Sequence, residues 1–175
     1  MLDSLLAPRL LPVSVLAKET LARLRVAPAH QTALGAVLGL AAAVFVIAGH
    51  SLIALAPLLI GWVLRRLAPP TPLDRFLDFL CWCALSFAFA LADPPRALAA
   101  AFLIFSLAVL DAARSTDEGA TPLLTRPIEQ SELLLAFSLA CIFPFLFSIL
   151  SYVVGILCFL SAGFSLARSS RKCPK

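Results

Sequence analysis

Two aspartates, Asp74 and Asp78, stand four residues apart in the stretch Thr71–Trp82, TPLDRFLDFLCW, at the mouth of a long apolar run. On a helix this spacing sets the second carboxylate one turn deeper and about 40° around from the first, so both face the same way. Close carboxylates repel unless a proton or a cation lies between them. A divalent cation is one answer: magnesium or manganese takes oxygen ligands, with phosphate as co-ligand. A salt bridge from Asp78 to Arg75 or to another arginine at the same end of the bundle is the other. Asp74 alone has a simpler role. Thr71 is a suitable N-cap and Pro72 a suitable first helical residue, which leaves Asp74 in the first turn, facing the positive end of the helix dipole. Asp78 is past any capping position, and a charge there is costly unless it is paired, metal-bound or reached by water.

Further acids gather near the same end. Glu129 and Glu132 open a later apolar segment, where Glu129 suits a cap. Asp111 closes the segment before it, three residues from Arg114 and in reach of it on a helix. Asp93 falls in a turn between apolar runs.

The elements that must position these groups are membrane helices. The chain has 175 residues, 61% of them hydrophobic and 14% charged, with a mean hydropathy of +0.98. Soluble domains rarely exceed about half apolar, so the composition predicts an all-α polytopic membrane protein and excludes soluble and nucleic-acid-binding classes despite a pI near 9.0. Six segments approach the length needed to span: Gln31–Gly49, Ser51–Leu67, Leu73–Ala92, Arg96–Ala113, Ser131–Phe147 and Ser148–Ala167. The fifth and sixth meet at FPFLFSIL. There Pro144 either ends a helix or kinks one, which leaves five helices as the alternative count. Basic residues favour six. With a cytoplasmic N-terminus, every lysine and arginine of the fourteen except Arg96 falls inside. Both termini are then cytoplasmic. No cleavable signal peptide is expected.

Residues 1–30 form a separate N-terminal segment, in which Val13, Leu16, Ala17, Leu21 and Leu24 recur at helical spacing with Lys18, Arg23 and Arg25 elsewhere on the wheel. This reads as an amphipathic helix on the cytoplasmic lipid surface, with a disordered basic arm as the alternative. Residues 31–168 form one six-helix domain and 169–175 a basic tail. Cys81, Cys83, Cys141, Cys158 and Cys173 lack zinc spacing and read as small apolar fillers.

The sequence resembles the CDP-alcohol phosphatidyltransferases, six-helix membrane enzymes, usually homodimeric, that transfer a phosphatidyl-type group from a CDP-linked donor to an alcohol with release of CMP. Their signature ends in Asp, three residues, Asp, and DRFLD supplies that pair as Asp74 and Asp78. APAHQTALG resembles the family's Pro-Asn-x-x-Thr lead into the first helix through Pro28 and Thr32. PIEQSELLLAF resembles a bacterial stretch through Glu129 and Glu132. The resemblance implies metal ligation by Asp74 and Asp78, with Asp78 also the base that activates the acceptor hydroxyl. It implies magnesium or manganese as cofactor and a CDP-linked lipid as donor.

The departures bear on that chemistry. The signature begins with Asp-Gly, and this chain has no Asp-Gly and no acid between Glu19 and Asp74. Ala56 stands in register with the missing Asp, Pro70 replaces the signature Gly, and Ala29 replaces the Asn after Pro28. The second segment ends in Arg65 and Arg66, whose charges would repel a divalent cation and could neutralise Asp74 and Asp78 without one. Three readings follow. One is a catalytically impaired or inactive member that binds lipid or partners with a second copy or an active relative. The second is an active transferase with a site rebuilt from Asp74, Asp78 and Asp111 or Glu132. The third is an unrelated small transporter or scaffold, for which Pro57 and Pro144 are the relevant helix breaks. The Ala-, Leu- and Arg-rich composition points to a bacterial inner membrane.

Overall fold

The computed structural model describes residues 28–67, 72–115 and 130–171. These form six α-helices: α1 (Pro28–Ile47), α2 (Ser51–Leu67), α3 (Pro72–Ala92), α4 (Ala97–Ser115), α5 (Gln130–Ile142) and α6 (Phe147–Arg171). There is no strand among the described residues. The expected amphipathic N-terminal helix lies outside them, as do Thr71, Glu129 and Cys173.

The helix ends follow local chemistry. α1 closes at Gly49, the residue with a positive φ of 78°. Its N–H bonds the Val46 carbonyl at 3.0 Å and the His50 N–H bonds the Phe45 carbonyl at 2.9 Å, the Schellman pattern that glycine permits. α3 and α4 are joined by a 3-10 turn over Pro94–Arg96, and α5 and α6 by another over Pro144–Leu146. Each proline sits where a helix must begin again and no N–H is needed. Pro57, by contrast, lies inside α2 without ending it.

The segment boundaries expected from sequence shift in consequence. α1 starts three residues earlier, at Pro28. α4 starts at Ala97 because Arg96 belongs to the 3-10 turn. α5 stops at Ile142 and not at Phe147, so it has only 13 residues, and α6 runs for 25.

The helices pack in a closed circuit. α1 lies on α2 and α3, α3 on α4, α4 on α6, α6 on α5, and α5 back on α2. Aromatic pairs fill the middle. Trp82 of α3 stacks on Phe137 of α5, with centroids 5.2 Å apart, and Phe89 of α3 stacks on Phe147 of α6 at 4.4 Å. Leu58, Leu85 and Leu103 are buried around them. The outer surface carries Val44, Leu52, Phe87, Leu98, Phe105 and Phe164, all well exposed, as expected where the solvent is hydrocarbon. Four stretches are long and apolar enough to cross a membrane: His30–Ile47, Leu73–Ala92, Pro94–Ala113 and Pro144–Ala167. α2, with 17 residues ending in two arginines, and α5 are shorter.

α1 and α2 cross with their backbones in contact. A Cβ on Gly61 would lie 2.7 Å from the Gly35 carbonyl oxygen and 3.3 Å from the Gly39 nitrogen. Small residues at the crossing let the two backbones meet.

Candidate functional site

That crossing determines where Arg65 goes. Gly61 and Arg65 are one turn apart on the buried side of α2, with Ala54 and Leu58. The Arg65 side chain therefore leaves α2 toward α1, over the two glycines. Its Cγ lies 2.6 Å from the position a Cβ on Gly35 would take, and its Nη2 lies 3.8 Å from the corresponding position on Gly39. A larger residue at Gly35 would narrow that path.

The guanidinium ends at α3. Arg65 Nη1 donates to Asp78 Oδ1 in a direct ion pair, and Nε donates to the Gly61 carbonyl at 3.3 Å. The Arg65 side chain is 4% exposed and that of Asp78 16%. Both charges are thus largely out of solvent, where each is tolerated because the other is present. Cys81, one turn beyond Asp78 on the same face, packs its sulfur 2.9 Å from the Cβ position of Gly39 and donates to the Ala36 carbonyl at 3.7 Å. Arg65 Nη2 is buried among these groups without a hydrogen-bond partner among the described residues.

The other residues singled out from sequence divide around this pair. Asp74 is half-buried in the first turn of α3. Arg66, next to Arg65 but turned outward, lays its guanidinium over the Trp62 ring at 5.3 Å from the centroid. Arg75 is exposed. Asp111 is half-buried on α4 and forms no ion pair with a described side chain. The side chain of Arg114, its expected partner, lies outside the described residues. Glu132 is in the first turn of α5. Asp93 is a turn residue that pairs with Arg96 at 3.0 Å.

Asp78 already pairs with a permanently charged cation, the Arg65 guanidinium. Among the described residues no three His, Cys, Asp or Glu side chains come together as a ligand group. Sequence reasoning named the charges and read Cys81 as a small apolar filler, but missed Gly35, Gly39 and Gly61. The signal for the first two was present as GAVLG, small residues four apart in an apolar helix. The chain matches no family model, no curated protein and no solved structure.

Proposed function

We propose that the protein is a six-helix membrane protein on a frame resembling the CDP-alcohol phosphatidyltransferases, in which the Arg65 guanidinium stands where catalysis would need a metal. The Asp74–Asp78 pair is then a structural site with little or no transferase activity. The protein acts through binding, of membrane lipids or of a second subunit, either another copy or an active relative. Its place is a bacterial inner membrane with both termini in the cytoplasm, the arrangement the basic residues favour.

The observation that carries this reading is the buried Arg65–Asp78 ion pair. A general base must be free to accept a proton from the acceptor hydroxyl, and a carboxylate held by a buried guanidinium is a poor base. The four apolar stretches long enough to span support the membrane location.

The test is metal response and turnover together. Purified protein in lipid nanodiscs should release no CMP from CDP-diacylglycerol with glycerol phosphate, inositol phosphate or serine. Its Tm should not rise with magnesium or manganese, because a ligand stabilises only by binding the folded state. A manganese-dependent rise in Tm that Asp78→Asn abolishes would overturn the reading even if no acceptor were found.

A further inference from the structure

The α3–α4 and α5–α6 turns share one backbone design and carry opposite side chains. In the first, the Asp93 N–H bonds the Phe89 carbonyl at 3.2 Å, Arg96 bonds back to Asp93 at 2.9 Å, and Ala97 bonds to Pro94. In the second, Phe143 bonds to Leu139 at 2.8 Å, Leu146 to Phe143 at 3.0 Å, and Phe147 to Pro144. Where the first turn has the Asp93–Arg96 ion pair, the second has Phe143 and Phe145 in edge contact at 6.0 Å. Ile142, Phe143 and Phe145 are 41%, 45% and 70% exposed. No polar side chain lies between Ile142 and Phe147.

The two turns also differ in level. Trp82 and Phe137 stack, so they share a depth. From there α3 climbs ten residues to Ala92, about 15 Å, while α5 climbs five to Ile142, about 7.5 Å. The second stack agrees: Phe147, the first residue of α6, is level with Phe89, three residues or about 4.5 Å short of the end of α3. The α5–α6 turn is therefore recessed by about one helical turn relative to the charged one.

We propose that this turn is seated in the hydrocarbon of the membrane, with lipid acyl chains covering Phe143 and Phe145, while the α3–α4 turn stands in water. Irregular backbone in lipid must satisfy its own polar groups. Here Pro144 has no N–H, the Phe143 N–H bonds back to Leu139 of α5, and the Leu146 and Phe147 N–H groups are bonded within the turn, which leaves the Phe145 N–H as the one donor of the turn without a backbone partner among the described residues. Further along α6, Ile149, Val153 and Ile156 are exposed as well. α5 and the start of α6 thus form a hairpin whose tip stays inside the bilayer, which accounts for α5 being too short to span. This rests on the membrane reading above.

Spin labels test it, in a variant whose five cysteines are replaced and a single cysteine placed at 145, 93 or 156. Collision with oxygen, which concentrates in lipid, and with a nickel chelate, which stays in water, gives the depth. The label at 145 should favour oxygen, as at 156, and the label at 93 should favour nickel. If 145 matches 93, the proposal is overturned. If 145 is shielded from both reagents, protein rather than lipid covers the turn, and the proposal is again overturned. If 156 also favours nickel, it is the membrane reading that fails. Should the cysteine-free chain not fold, Phe145→Asp in the native background gives a second measurement. Its Tm in nanodiscs should fall by roughly 3–6 °C, whereas His50→Asp, in the polar α1–α2 turn, should leave it unchanged. An unchanged Tm for Phe145→Asp overturns the proposal.

Discussion

Arg65 Cγ lies 2.6 Å from the point where a Cβ on Gly35 would stand, and the Gly61 carbonyl oxygen lies 2.8 Å from that same point. A flexible side chain can move aside, but the backbone of a packed helix cannot. Gly35→Ala is therefore expected to lose about 1–3 kcal/mol by overpacking. Gly163→Ala on α6 meets open space and should be neutral or stabilising by up to about 1 kcal/mol, since alanine is the better helix former. Thermal unfolding in nanodiscs compares the two. Equal effects would show that the α1–α2 crossing is looser than described.

The ion pair makes a second prediction. Asp78→Asn leaves a buried guanidinium with a weaker partner, and Arg65→Gln leaves a buried carboxylate. Either single change should cost about 3–5 kcal/mol, less where water reaches the site. The double variant should recover part of the loss. A double-mutant cycle without coupling would mean that the pair contributes nothing specific. Arg66→Gln, at the exposed arginine that lies over the Trp62 ring, should cost less than either single change at the buried pair.

The aromatic interior makes a third. Phe147 is 1% exposed and stacked on Phe89. Phe147→Ala should cost about 3–5 kcal/mol, while Phe147→Leu should cost much less because it keeps most of the volume. If both cost little, α6 is not anchored to α3 through these rings.

Topology supplies a fourth. Membrane-impermeant thiol reagents should reach cysteines placed at His50 and Asp93 from one side of the membrane. They should reach residues near the two termini only from the other. A C-terminal tail on the same side as Asp93 would exclude an even number of crossings.

Most of the helix boundaries were legible because their causes are local. GHS, RRLAPPTP and ADPPR carry the glycine, proline and charge that end helices, and α2 and α3 run where those signals place them. The α5–α6 boundary was ambiguous because Pro57 and Pro144 look alike in sequence. One is absorbed in α2 and the other separates two helices, and only packing distinguishes them. The site was half legible. Sequence could name Asp78 and offer Arg65 or Arg66, since both arginines end the same helix. Choosing between them needs the rotation of α2 about its axis, which Gly35, Gly39 and Gly61 fix from a different part of the chain. The small-residue spacing that sets this rotation was visible in GAVLG without naming its partner helix.

Arg65 and Asp78 sit on consecutive helices, thirteen residues apart, and this has a consequence for biogenesis. An arginine or an aspartate entering the bilayer alone resists insertion by about 2.5–3.5 kcal/mol at the centre of a helix. α2 and α3 emerge from the ribosome one after the other, so each charge meets its counter-charge before the later helices exist. The pair is expected to let α2 and α3 leave the translocon together with these two charges neutralising each other. If so, Asp78→Leu should impair the insertion of α2, a helix that the substitution does not touch.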